Sequence, residues 1–177
     1  MSLLQTISPA EATGDVATIY ANLQKGFGSV PNAFQMASVS PAMLKQQFEF
    51  VGHYLTHPNL SGPLLACIRM LVSSQTACEY CIGLNAGLLI NLMGWTPEQV
   101  AATQADPANA NLTQRETVML FFVLKTTANP QSVTAADVDA LRGIGWSDAD
   151  IFDAANHGAR MVAADILLNA FKVERDY

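Results

Sequence analysis

Residues 64–89 read LLACIRMLVSSQTACEYCIGLNAGLL. Two patterns meet in this stretch. Leu64, Leu65, Ile68, Leu71 and Val72 recur at helical spacing, so its first half is a helix with one apolar face. The short break at Thr76-Ala77 is followed by Cys78-Glu79-Tyr80-Cys81, the head of a second helix. The chain carries three cysteines, and the third is Cys67. Two helices joined by a few residues, with a C-x-x-C pair at the joint, are the unit from which the rest is read.

Outward from this unit the sequence continues as helices and short loops. Alternating apolar/polar runs rich in Val, Ile and Thr are missing, so strands are not expected. Helix starts are well marked. Ser40-Pro41 and Ser61-Gly62-Pro63 place a cap and a proline at the first turn. Thr96-Pro97-Glu98-Gln99 and Thr113-Gln114-Arg115-Glu116 are capping boxes, and Thr134 and Ser147 each precede an Asp in the same relation. The pattern predicts helices near 13–25, 41–56, 61–75, 79–93, 97–104, 113–127, 134–142 and 148–171. GFGSVPNAF (26–34) reads as a loop and QADPANAN (104–111) as a linker. In the last helix the expected buried face holds Ile151, Ala155, Val162 and Ile166. Met36, Met43, Met70, Met93, Met119 and Met161 are expected to fill the core.

A repeat runs through the second part. LMGWTPEQV (92–100) matches GIGWSDADI (143–151) at an offset of 51, and Leu60-Ser61 matches Leu112-Thr113 at an offset of 52. Where the first copy has Cys78 to Cys81, the second has Asn129 to Ser132, so the chemistry is expected in the first copy. The chain is therefore read as one domain: an N-terminal helical extension (1–58), a C-x-x-C-bearing repeat (59–110) and a second repeat without cysteines (111–177).

Composition narrows the function. The 177 residues are 50% apolar and 14% charged, against about 25% charged in a typical soluble domain. We read the deficit as apolar surface covered between subunits. A net charge of −6 argues against nucleic acid and against an anionic membrane surface. No apolar run approaches the roughly 18 residues of a membrane span. MSLLQTISPAEATGD has no basic start or long apolar core of a secretory signal. Cytoplasmic location is the expectation, and there a C-x-x-C pair is more often catalytic or metal-binding than structural.

Three readings of the pair compete. Zinc wants two further ligands. Cys67, His53, His57 and His157 are the candidates, and none forms a second close Cys pair. His53 and His57 lie at i, i+4 but lack the glutamate of a metalloprotease motif. The second reading is two inert small core residues. The third is redox: a helix N-terminus lowers a thiol pKa, and sulfurs at i and i+3 can meet. Neither a metal nor an organic cofactor is expected.

With LLACIRMLVSSQTACEYCIGLNAGLL at its centre, the chain resembles the carboxymuconolactone decarboxylase and alkylhydroperoxidase-D superfamily, in particular its peroxidase-related branch. GDVATIYANLQKGFGSVPNAFQMASVSPAML resembles the N-terminal extension of that branch, and SVTAADVDALRGIGWSDADIFDAA its end. The resemblance spans nearly the whole chain. It implies an all-α helical bundle, assembled as a homo-oligomer (trimer or hexamer). It also implies a hydroperoxide substrate and a disulfide reductant that the sequence does not identify. In the family mechanism the second cysteine, here Cys81, attacks the peroxide and the first, Cys78, resolves the sulfenic acid. A lyase reaction of the decarboxylase kind rests on the superfamily name alone. The other alternative is a degenerate, non-enzymatic or redox-sensing member.

The family's proton relay is incomplete. Its Glu, twelve residues before the first cysteine, is Ala66 here, and its His, four after the second, is Asn85. Asn85 can hydrogen-bond a thiolate or a water but takes no proton at neutral pH. General-base help is typically worth about 10²–10⁴-fold, so a loss of that order is expected unless something replaces it. The helix N-terminus alone can depress a thiol, which would make Cys78 the better nucleophile. Glu79 can serve as a base, although its charge also raises thiol pKa values. His53, His57 or His157 can arrive from another helix. Tyr80 matches a position that is often aromatic or His in the family. For each of these auxiliaries the plain alternative is a surface, packing or helix-start residue.

Overall fold

The computed structural model describes residues 2–176. The helices are α1 (Gly14–Phe27), α2 (Asn32–Ala37), α3 (Pro41–Leu55), α4 (Gly62–Gln75), α5 (Glu79–Asn91), α6 (Pro97–Ala105), α7 (Gln114–Ala128), α8 (Ala135–Gly143) and α9 (Asp148–Ala170). Two single 3₁₀ turns, Pro107–Asn109 and Pro130–Ser132, precede α7 and α8. The described residues contain no strand, and the chain is all-α.

The capping signals act as chemistry says they should. The hydroxyl of Ser61 accepts from Leu64 N, and full capping boxes form at Thr96/Gln99, Thr113/Glu116 and Thr134/Asp137. Ser147 and Asp150 exchange the same reciprocal bonds at the head of α9. The loop expected at 26–34 is shorter than the sequence suggests. α1 runs on to Phe27 and stops where Gly28 turns left-handed (φ 78) and its N–H closes on the Gln24 carbonyl. Pro31, extended, then starts the short α2, a helix the turn-rich composition concealed.

The chain divides into two compact units. The first is the described part of Met1–His57 and Leu167–Tyr177. Its core is Val16, Ile19, Tyr20, Leu23, Val30, Phe34 and Leu44. The Tyr20 hydroxyl donates to the Ile7 carbonyl (2.9 Å), and Asp176 accepts from the Asn32 amide (2.9 Å), which ties the chain end to this unit. His53 is exposed on α3, and its ring lies 5.6 Å from that of His57.

The second unit, Pro58–Ile166, holds the cysteines. α4 is its central element, packed against α5 and α7. Leu64, Ile68, Met70, Leu89, Met119, Leu120, Val123 and Leu141 are almost wholly excluded from solvent. α9 comes close to α4 and α7 at Gly158, where a Cβ would stand 2.5 Å from Val123 Cγ1 and 3.7 Å from Ile68 Cγ2. The face that α9 buries differs from the expected one. Ile151 is buried, but Ile166 is 60% exposed, and the inward residues are Ala154, His157, Gly158 and Asp165. Hydropathy missed this face because two of its members are polar. Met43 is likewise half exposed and fills no core, whereas Met70 and Met119 do. No helix of the described residues is long and apolar enough to cross a membrane.

Candidate functional site

The site begins at the joint between α4 and α5. Ala77 takes a left-handed conformation (φ 52), unusual for a residue with a side chain. This costs about 1–2 kcal/mol and reverses the chain tightly enough for the Cys78 N–H to reach the Ser73 carbonyl (2.9 Å). Cys78 thereby becomes the N-cap of α5, and Cys81 falls at the third helical position. Both are free thiols and buried, with Cys81 3% exposed.

A third group faces them. Asp165 of α9 is wholly buried, and a carboxylate oxygen of it and the two sulfurs all lie within 4.8 Å of one another. Its Oδ1 accepts from the Ser73 hydroxyl (3.0 Å) and its Oδ2 from the Thr76 hydroxyl (2.6 Å). Two neutral donors from the end of α4 thus aim the carboxylate at the pair. Two thiols and a carboxylate are also a donor set for a thiophilic metal, though a closed zinc site takes four ligands.

The two thiols have opposite proton affinities. The Cys81 S–H donates to the Cys78 sulfur and, against burial and the charge of Asp165, holds the Cys78 pKa below its ordinary value; the Cys81 backbone amide helps. Cys81 is pushed far up, because it is the donor in that bond, because it is buried and because Asp165 is close. Of the two, Cys78 is therefore the thiol that gives up its proton more readily. Cys67 is pushed up to about 12 by burial and by Glu116, and it behaves as an inert core residue.

On the other side of Cys81 runs a polar chain. The Asn85 amide donates to the Cys81 carbonyl (2.8 Å), and its oxygen accepts from Arg69 Nε (2.6 Å). Arg69 Nη1 lies 3.1 Å from His157 Nε2. Since guanidinium can only donate, His157 accepts at Nε2. Burial, then the charge of Arg69, hold the His157 pKa well below its ordinary value, although the Leu65 carbonyl opposes them. His157 is thus a neutral acceptor that positions Arg69. Arg69 itself is brought down to about 10 by burial, while Cys81 and Cys67 favour its charge.

The sequence-predicted residues fall into clear places. Cys78 and Cys81 come together, and Asn85 and His157 join through Arg69. Ala66 is buried in α4, Tyr80 is buried, and Glu79 is exposed on the first turn of α5. Sequence reasoning missed Arg69, Ser73, Thr76 and Asp165. A signal for two of them was there: Arg69 is the one charge in GPLLACIRMLVSSQ, and Asp165 the one in MVAADILLNA. A lone charge inside an apolar helix wants a partner.

Solved structures place this geometry in a known fold. An uncharacterized peroxidase-related protein from Silicibacter sp. TM1040 is similar with a TM-score of 0.84 and 24% identity, over 98% of this chain and 91% of that one. A second structure, described as an alkylhydroperoxidase AhpD core and an uncharacterized peroxidase-related protein from Ralstonia eutropha JMP134, is similar with a TM-score of 0.87 and 23% identity, over 99% and 92%. The chain thus has the AhpD-core fold of these peroxidase-related proteins. No family model and no curated protein matches the sequence.

Proposed function

We propose that this chain is a thiol-dependent, peroxidase-like oxidoreductase that cycles Cys78 and Cys81 between dithiol and disulfide, with a hydroperoxide as oxidant. One observation carries the reading: two buried thiols, one at the N-cap of a helix and the other one turn in, lie within 4.8 Å of each other, so that one can attack and the other resolve. The peroxidase-related names of the two similar structures agree with it. Overall, two thiols and a hydroperoxide give a disulfide, an alcohol and water. A dithiol reductant then restores the pair, and no step requires a metal or an organic cofactor.

The assignment of roles reverses the one the family resemblance implies. Cys78 attacks, because it caps the helix N-terminus and gives up its proton more readily, and Cys81 resolves. Arg69, on the far side of Cys81, supplies positive charge close to the site. A redox-sensing role without turnover is the competing reading, favoured by the burial of both sulfurs.

Stopped-flow oxidation by hydrogen peroxide and by an organic hydroperoxide, from pH 5 to 9, tests both. We expect rapid disulfide formation with a pH midpoint below the roughly 8.5 of a free cysteine. In Cys81→Ser a sulfenic acid should be trapped on Cys78, and Cys78→Ser should react no faster than a buried free thiol. Trapping on Cys81 instead restores the family's order of attack. Oxidation of wild type at the rate of an ordinary thiol, with no turnover when a dithiol is added, rules out the peroxidase reading.

A further inference from the structure

We propose that Asp165 is the proton acceptor of the Cys78–Cys81 pair and does the work for which Ala66 and Asn85 have no capacity. The inference rests on the dithiol reading above and deepens it.

Its basis is geometry. A carboxylate oxygen of Asp165 lies within 4.8 Å of both sulfurs, close enough for the carboxylate to raise the proton affinity of both. It is wholly buried, yet its other partners among the described residues are the neutral hydroxyls of Ser73 and Thr76. A carboxylate buried without a cation is expensive for the fold. Two hydroxyls use one lone pair on each oxygen, and the remaining lone pairs are available to S–H. The other polar groups around the pair are engaged elsewhere. Arg69 from α4 can only donate. His157 from α9 spends Nε2 on Arg69, and Asn85 from α5 spends its oxygen there as well. Glu79, between the cysteines, faces solvent.

The Cys78 thiolate attacks a peroxide oxygen; an S–O bond forms, the O–O bond breaks, and the departing alkoxide takes a proton from solvent. The Cys81 sulfur then attacks the Cys78 sulfur while its proton passes to Asp165. The S–S bond forms, the S–O bond breaks, and the departing hydroxide takes that proton as water. Cys81 is the thiol that needs a base, being the one whose proton is held most tightly.

The test uses 2,2′-dithiodipyridine, which needs no peroxidase activity. Reduced protein should release two equivalents of coloured thiopyridone. The first marks attack by Cys78, and the second marks closure by Cys81. In wild type the second phase should be nearly flat with pH. In Asp165→Asn it should slow by about 100-fold or more and climb with pH as solvent takes over deprotonation, and Asp165→Glu should recover part of the rate. If the carboxylate only burdens the thiols with negative charge, Asp165→Asn closes faster, and the proposal falls. An unchanged second phase overturns it too. Should Asp165→Asn fail to fold, Thr76→Val, which frees one carboxylate oxygen, is expected to slow closure to a smaller extent, and unchanged closure there counts against the proposal. Wild type that closes its disulfide here but ignores peroxide refutes the peroxidase reading and leaves Asp165 in place. A single equivalent from wild type overturns both.

Discussion

The two halves of the second unit start alike and end differently. α4 and α7 are each opened by a hydroxyl cap, Ser61 and Thr113. In each half a glycine at positive φ, Gly94 (73°) or Gly145 (90°), precedes a buried tryptophan, Trp95 or Trp146. The amide of each tryptophan closes on the preceding helix, at the carbonyls of Leu89 (3.0 Å) and Leu141 (3.1 Å). Between these matching ends the halves diverge. The first makes a tight left-handed turn and presents two buried thiols. The second makes an exposed 3₁₀ turn at Pro130–Ser132. The second half is nevertheless not idle, since α9 carries Asp165 to the thiols and His157 to Arg69. Both cysteines lie in the first copy, as their sequence positions require, while the polar environment around them is shared between the copies. The lesson is that equal caps and turns can hold two scaffolds in register while the polar groups around the cysteines are divided between them.

The comparison can be broken most severely at the tryptophans. Each should cost about 3–5 kcal/mol on truncation to alanine. Trp146 should be the dearer by about 1–2 kcal/mol. Its indole N–H donates to the Arg115 carbonyl (3.2 Å), and the Arg115 guanidinium lies 3.5 Å over its ring. Chemical denaturation of Trp95→Ala and Trp146→Ala measures both. Equal losses would mean that the ring alone anchors each turn.

A smaller effect is expected where the second copy meets the first. Gly158→Ala ought to gain up to about 1 kcal/mol from helix propensity. Its Cβ would, however, approach Val123 Cγ1 to 2.5 Å and Thr127 Cγ2 to 3.1 Å. Overpacking typically costs about 1–3 kcal/mol, so we expect net destabilisation. The altered seat of α9 should also slow disulfide closure, because Asp165 lies two turns further along the same helix. A stabilised variant would show that α9 is free to shift.

The smallest effect concerns Glu116, which joins the two helix starts. It accepts from the Ser61 hydroxyl at one oxygen and from the Thr113 amide (3.0 Å) and hydroxyl (2.7 Å) at the other. Burial pushes its pKa up, but the Ser61 and Thr113 bonds outweigh burial and hold it below the ordinary value. A carboxyl lowered on folding contributes stability that is present above its unfolded value and lost as pH falls through its folded one. As pH falls below about 4.5, the ordinary value, wild type should therefore lose stability that Glu116→Gln lacks at every pH. The deficit of the variant at neutral pH should be about 1 kcal/mol. Parallel pH curves for the two would mean that Glu116 is solvated in solution.

The all-α fold was legible because its determinants are local. Proline at the first turn, hydroxyl caps followed by an acid or amide, and apolar spacing each act within a few residues, and the corresponding helices stand within about two residues of their expected ends. The cysteine pair and its place at the head of α5 were readable for the same reason. α2 was not, because six residues among turn formers leave no periodic signal.

What the sequence determined by itself is thus the helices, their caps, the paired Gly-Trp turns and the two thiols at i and i+3. Only the tertiary structure decided what faces those thiols. Asp165 lies more than eighty residues from the cysteines along the chain. Its inward orientation depends on how α9 packs at Gly158 against α4 and α7. A buried polar face is invisible to hydropathy, because the partners that make its burial tolerable are known only once the helices have met.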